Sequence, residues 1–195
     1  ILKDFGSEGV PVDELDGLVD GYLIDRPMSA RQALEPLAAL LLFEGYESAT
    51  GVRFVRRARK AVASLVADDL AADGDRPLVT VRRAQEGDLP AEISVGFDDP
   101  LADFMATAVS ARRLATGSGR AVIQQSAAAM SHATATGLVE TMLQDVWAGR
   151  ETHDFALTAR RLDLEPGDSC DLTVDGVSRT VLVNRIADGA VRRVE

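Results

Sequence analysis

Three side chains in this sequence could carry nucleophilic chemistry: Cys170 as the nucleophile, and His132 or His153 as the base that activates it. Neither histidine has a cysteine or carboxylate at the spacing that metal ligands need. The sequence also lacks the G-x-x-x-x-G-K-[ST], G-x-G-x-x-G, H-E-x-x-H and G-x-S-x-G patterns. We therefore predict no catalytic, cofactor-binding or metal-binding residue, and no enzyme. Cys170 is expected to be a small buried residue of a strand.

A second candidate for chemistry is the acidic segment that contains Asp98, Asp99 and Asp103. Carboxylate oxygens are the ligands that calcium prefers, so the segment could suggest a cation site. The spacing lacks the alternating acids, the glycine and the distal glutamate of a calcium-binding loop. We interpret the segment as a turn around Pro100 instead.

Positive charge concentrates in one cluster of five bases: Arg53, Arg56, Arg57, Arg59 and Lys60. Such a cluster could bind phosphate, but no aromatic side chains alternate with it to stack on bases. The chain as a whole carries a net charge of −10, which disfavours nucleic-acid backbones and anionic membranes as direct partners. We therefore interpret the cluster as a solvated strand end that faces solvent or a protein neighbour, and we expect no direct specific DNA binding.

A turn, a strand and a second turn follow one another at residues 162–176. Pro166 suits the first central position of a turn, Gly167 supplies a positive φ, and the side chain of Asp168 can close the turn. The Asp-Gly pair at residues 175–176 allows a tight reversal into another strand. The stretch predicts hairpin construction and indicates no chemistry of its own.

Two amphipathic helices are predicted from apolar residues at three- and four-residue spacing. The first covers residues 30–43 and contains Pro36, which is expected to kink it. The second covers residues 131–150. We predict that Leu143 and Trp147 anchor this second helix against the C-terminal sheet, and that the tryptophan is a core residue and not a ligand platform.

Short apolar runs predict strands through most of the remaining chain. The predicted fold class is α+β, with antiparallel barrel-like sheets and two principal helices. We expect two modules, which can be intertwined. Residues 1–115 would form a helix-plus-hairpin and strand module, and residues 116–195 a helix followed by a strand-rich, barrel-like module.

The ends and the hydropathy of the chain bear on its context. No apolar run approaches the ~20 residues of a membrane-spanning helix, so no membrane-spanning segment is predicted. The sequence begins at Ile1 without a methionine and finishes at Glu195 directly after a predicted strand. We expect it to be a fragment of a longer polypeptide.

Four segments taken in order resemble one protein family: residues 19–55, residues 89–104 (LPAEISVGFDDPLADF), a helix ending in Val146-Trp147, and residues 155–176 (FALTARRLDLEPGDSCDLTVDG). This order resembles the hub, or tail-tip (baseplate hub), proteins of long-tailed bacteriophages and gene transfer agents. No single motif is diagnostic, and the ordered set covers nearly the whole chain. The lead-in to the second helix, residues 126–137, is smaller and more polar than the family pattern.

The resemblance implies a structural role in a virion. Family members form homotrimeric hubs of barrel-like domains, which continue the tail tube and attach the distal spike or fibres. It implies other tail-tube and baseplate proteins as partners, and localisation in a virion or phage-like particle after assembly in the bacterial cytoplasm. Enzyme-like domains of larger members would lie outside this sequence.

Two other classes of function stay open at this point. One is a small-ligand or carbohydrate-binding β domain, which would need a concave site lined by aromatic residues. Six Phe, two Tyr and one Trp provide little material for such a site. The other is a degenerate enzyme domain. A hub fragment, in contrast, should be oligomeric or expose long sheet edges.

Overall fold

The protein is described by a computed structural model, which covers residues 1–7, 9–12, 15–48, 51–57 and 60–195. The chain forms two compact units. The first unit consists of Ile1–Gly9, Asp16–Phe43 and Ala84–Arg150, and the second of Val10–Leu15, Glu44–Arg83 and Glu151–Glu195. The units alternate along the chain, so they do not coincide with the division between residues 115 and 116, which stays a prediction about separable modules.

The described residues contain two α-helices and thirteen strands. The helices are α1 (Ala30–Leu41) and α2 (His132–Ala148). The first seven strands are β1 (Gly21–Tyr22), β2 (Phe43–Ser48), β3 (Gly51–Arg56), β4 (Ala63–Val66), β5 (Val79–Arg83), β6 (Glu92–Asp99) and β7 (Met105–Arg112). The other six are β8 (Ala121–Ala129), β9 (Glu151–Leu157), β10 (Ser169–Val174), β11 (Val177–Leu182), β12 (Ile186–Asp188) and β13 (Arg192–Val194).

Both helices begin at serine caps. The hydroxyl of Ser29 accepts from the backbone N–H of Gln32, and the side chain of Gln32 accepts in return from the N–H of Ser29, which makes a capping box. Ser131 caps α2 through the N–H of Thr134. Pro36 lies inside α1, and the helix continues through it to Leu41.

The first unit is built on the sheet of order β1-β8-β6-β7. Helix α2 packs on one face of this sheet, against β6 and β7. The core between them is apolar, and its largest fully buried side chains are Phe97 and Met130. The opposite face of the sheet is free of helices, and this determines where the surface described below lies.

The partner of α2 differs from the prediction. Trp147 and Leu143 are buried, as expected for core residues, but they pack in the core of the first unit. The indole N–H of Trp147 donates to the carbonyl oxygen of Pro90 at 2.8 Å, and the guanidinium of Arg113 lies 4.2 Å from the ring centroid. The prediction that this helix anchors to the C-terminal sheet is therefore wrong. Helical periodicity identifies a buried face without identifying what covers it.

The second unit contains three sheets: β11-β10-β4, β12-β13-β9-β5, and the two-stranded β2-β3. Leu65, Leu157, Leu164 and Val183 are among the fully buried side chains of its core. Strand β4 pairs in parallel with β10, which follows it only after a long connection. The reversal between β10 and β11 is made by Asp175 and Gly176, whose φ angles of 53° and 75° are those of the tight turn that the sequence predicts.

The α+β class with two principal helices and several antiparallel sheets is confirmed. Every sheet of the described residues is open, with two edge strands, so none of them closes into a barrel. Two pairs are parallel, β6 with β8 and β4 with β10. Strand β8 ends at Ala129, and α2 begins at His132, one residue after the predicted start of the second helix.

Candidate assembly surfaces

The predicted turn at Pro166 is a structural anchor within the second unit. The N–H of Asp168 donates to the carbonyl oxygen of Glu165, and the Asp168 carboxylate accepts from the N–H of Glu165 at 2.9 Å. Gly167 has φ +90° and donates to the carbonyl oxygen of Val183. The turn therefore forms as predicted, with the aspartate closing it.

The same turn holds the β2-β3 sheet through two kinds of contact. Arg53 on β3 reaches Asp168 Oδ1 at 3.1 Å and Glu165 Oε2 at 3.4 Å. A side chain at Gly167 would lie against Tyr46 and Val55, so the glycine allows the turn to pack closely on this sheet. A two-stranded sheet is marginal alone, and these contacts stabilise it.

The basic cluster is engaged by acids of its own unit. Arg57 Nε lies 2.6 Å from Glu44 Oε1, whose other oxygen accepts from the Tyr46 hydroxyl at 2.7 Å. Burial, followed by the hydrogen bond to Glu44, raises the pKa of Tyr46 above its usual value. Lys60 is exposed. Arg59 lies outside the described residues. Arg53 and Arg57 are therefore held in half-buried ion pairs, so the interpretation of the cluster as a solvated strand end is wrong for these two residues.

The candidate nucleophile is a buried thiol. Cys170 is fully buried in β10, and burial, with the charges of Asp171 and Asp168, raises the pKa of its thiol to about 11. A thiol of this kind is protonated at neutral pH and is a poor nucleophile. Burial lowers the pKa of His153, whose buried Nε2 has no hydrogen-bond partner. His132 is the first residue of α2 in the other unit.

No three His, Cys, Asp or Glu side chains of the described residues lie close enough together to hold a metal ion. In the acidic segment, strand β6 runs on through Asp98 and Asp99, so the strand ends later than predicted. A short 3-10 helix, Pro100–Ala102, then makes the turn, and the Asp99 carboxylate accepts from the N–H of Leu101 at 2.9 Å. This carboxylate is a cap in the structure.

Strand β7 is the long edge strand of the first unit, and no described strand pairs with its outer side. It stands at the end of the sheet order, and it is eight residues long. The N–H of Arg113 donates to the carbonyl oxygen of Ala91, one step beyond the antiparallel β6-β7 ladder. Because hydrogen-bonded pairs alternate along such a ladder, every second residue of β7 directs its N–H and C=O away from β6. The residues with outward backbone groups are Ala106, Ala108, Ser110 and Arg112.

The helix-free face of the same sheet carries small, uncharged side chains. The register places these residues on one face: Ser94 of β6, Ala106, Ala108 and Ser110 of β7, and Ala121 and Gln125 of β8. Ile123 lies on the same face and is 83% exposed. Charge occurs only at the ends of this face, as the Glu92–Arg112 cross-strand pair and as Asp98. We call this surface the open face.

The β6-β7 turn carries a group of exposed apolar side chains that the sequence interpretation missed. Leu101, Phe104 and Met105 are 85%, 64% and 68% exposed. The sequence does contain a signal, since large apolar residues follow directly on an acidic turn where polar residues are usual.

No described helix is both long enough and apolar enough to cross a membrane. Residues 29–186 match the family described as "Putative phage tail protein". No curated protein sequence matches the chain significantly.

Several solved structures are similar in fold, among them these three. A chain of the virion of a native gene transfer agent particle has a TM-score of 0.90 and 26% identity, over 99% of this chain and 44% of that chain. A tail protein from Neisseria meningitidis MC58 has a TM-score of 0.60 and 13% identity, over 93% of this chain and 60% of that chain. The 43 kDa tail protein of prophage MuSo2 from Shewanella oneidensis has a TM-score of 0.57 and 14% identity, over 88% of this chain and 54% of that chain. The protein spans less than half the length of the gene transfer agent chain.

The resemblance to tail proteins of long-tailed phages and gene transfer agents is confirmed by the family match and by the shared fold. Localisation in a virion particle is confirmed on the same grounds. The chain therefore belongs to the phage tail protein family.

Proposed function

We propose that the chain is part of a homotrimeric hub at the tail tip, which continues the tail tube and connects it to the distal spike or fibres. In this role it has no enzymatic activity and contacts other tail-tube and baseplate proteins. The observation that carries the proposal is the free edge of β7. A long exposed edge is a template for pairing with another chain, and soluble proteins usually protect such edges.

The sequence of β7 has little of that protection. Pro is absent from the strand, and its sole charged residue is the terminal Arg112. Four outward N–H and C=O pairs are therefore available for a strand of a neighbouring subunit. Repeating such a contact around an axis closes a ring when the rotation allows it. Three copies is the number that the family resemblance implies.

Ala108→Pro is expected to leave the fold intact and to prevent ring formation. The N–H of Ala108 points outward, so its loss removes no bond of the β6-β7 ladder, and edge strands tolerate proline at such positions. Native mass spectrometry of the full-length protein should show three copies for the wild type and one for the variant. Far-ultraviolet circular dichroism should be unchanged.

Val109→Pro is the matched control, because the N–H of Val109 belongs to the ladder with β6. This variant should unfold at clearly lower urea concentration. A trimer that survives Ala108→Pro would exclude the β7 edge as the subunit contact.

The open face suits the wall of a channel through which DNA passes. A wall with clustered Lys and Arg would release counterions from the duplex and hold it. Between the Glu92–Arg112 pair and Asp98, the open face offers no cation. We propose that this face lines the channel, and that the basic cluster, in which Arg53 and Arg57 are held in ion pairs, faces solvent or a protein neighbour instead.

We accordingly expect the protein to show no measurable binding to duplex DNA at about 50 mM salt. At this salt concentration even non-specific binders have dissociation constants below the ~10⁻⁴–10⁻⁶ M that they show at physiological salt. Fluorescence anisotropy with a labelled duplex is the measurement. Salt-sensitive micromolar binding that disappears when Arg56, Arg57 and Arg59 are neutralised would make the cluster a DNA site and would contradict this expectation.

A further inference from the structure

The turn between β6 and β7 exposes three large apolar side chains within five residues. Leu101, Phe104 and Met105 are each more than 60% exposed. Single exposed apolar residues are ordinary, but a contiguous group of them marks an interaction site. We call residues 99–105 the tip.

The backbone of the tip is held in a conformation that L-residues seldom adopt. Asp103 and Phe104 follow one another with φ of 51° and 59°. Left-handed backbone is unfavourable for L-residues, although aspartate tolerates it better than phenylalanine, so two such residues in succession are kept only where the surroundings require them. The N–H of Leu101 donates to the Asp99 carboxylate and the N–H of Phe104 to the Asp99 carbonyl oxygen, both at 2.9 Å. These bonds fix the turn with Phe104 presented outward.

The charge around the tip is acidic. Asp98, Asp99 and Asp103 are neighbours of the apolar side chains along the chain, and the next base after them in the sequence is Arg112, at the far end of β7. A complementary surface would therefore have an apolar pocket with Arg or Lys at its rim. A second copy of this chain fits poorly, because its net charge is −10 and because Arg53 and Arg57 of its main basic cluster are engaged by Glu44, Glu165 and Asp168.

We infer that the tip docks into an apolar, basic-rimmed pocket on a different protein of the tail. Phe104 and Leu101 fill the pocket, and the three carboxylates pair with its rim. Preorganisation of the turn limits the entropy lost on docking. The inference rests on the proposed place of the chain at the tail tip, and it does not depend on the number of copies in the ring.

The test is site-specific photo-crosslinking in assembled particles that contain the full-length protein. The probe, p-benzoylphenylalanine, replaces Phe104, a substitution that keeps an aromatic ring at this position. The expected product joins this residue to a different tail protein, at a segment that contains apolar residues and at least one Arg or Lys. The same probe at Leu114, which is 92% exposed beyond the other end of β7, should not yield that product.

The charge part of the inference is tested by adding Asp103→Lys to the Phe104 probe. Reversing a charge at the rim places like charges together, so the yield of the cross-link should fall about tenfold or more. Cross-linking to a second copy of this chain, absence of any cross-link, or a yield indifferent to Asp103→Lys would overturn the inference. A ring with other than three copies would overturn the hub proposal while leaving the cross-link unaffected.

Discussion

Trp147→Ala is expected to lower the free energy of unfolding by about 3–5 kcal/mol, the range for truncating a large core aromatic. The side chain is 7% exposed and lies between α2 and the sheet of the first unit. Its loss would leave a cavity there, an unpaired carbonyl at Pro90, and Arg113 without the ring beneath it. Urea unfolding followed by circular dichroism measures the change.

Two further variants show how much of the lost free energy of unfolding comes from the buried ring and how much from its hydrogen bond. Val146→Ala, at the neighbouring position, which is 37% exposed, should cost less than about 1 kcal/mol. Trp147→Phe keeps most of the ring and removes the hydrogen bond to Pro90, so it should fall between the two. A loss below about 1 kcal/mol for Trp147→Ala would contradict its place in the core.

Gly167→Ala is expected to destabilise the protein by about 2–5 kcal/mol for two independent reasons. At φ +90° a side chain is strained, by about 1–2 kcal/mol. The added Cβ would also lie 2.6 Å from Tyr46 Cδ2 and 2.8 Å from Val55 Cγ2, and overpacking of this kind costs about 1–3 kcal/mol. The change should separate the turn from the β2-β3 sheet.

Gly176→Ala is the matched control, because Gly176 has φ +75° with no heavy atom within 4 Å of the added Cβ. It should show the backbone strain alone, about 1–2 kcal/mol. The difference between the two urea melts then measures the packing of the turn on Tyr46 and Val55. Equal losses would mean that the turn is not packed as described.

Local chemistry accounts for the parts of the fold that the sequence predicts well. Ser29 and Ser131 cap their helices through residues three positions away, and the Asp175-Gly176 reversal depends only on its own backbone angles. The turn closed by Asp168 is equally local. These features need no knowledge of the rest of the chain.

The features that the sequence does not predict depend on distant partners. Arg53 was interpreted as part of a solvated strand end, yet its partners Glu165 and Asp168 are 112 and 115 residues away. Strand β4 pairs in parallel with β10 across a similar separation. The periodicity of α2 identifies its apolar stripe, but only tertiary structure decides that β6 and β7 cover it.

The candidate surfaces were still harder to predict. A strand looks alike in sequence whether its outer edge is paired or free, so β7 did not stand out as an edge. Large apolar residues directly after an acidic turn are a signal in the sequence, but the exposure of Phe104 also depends on the two positive φ angles at Asp103 and Phe104, which the sequence does not reveal. Family resemblance pointed to assembly as the function, and the structure supplies the surfaces that can perform it.

The central claim is that this chain forms a ring of three at the tail tip. A reconstruction of the intact particle, without imposed symmetry at the end of the tail, tests it most directly. We expect three copies around the tail axis, with the β7 edge of each copy against its neighbour and the open face toward the channel. Six copies, a single copy, or a position away from the end of the tail would contradict the claim.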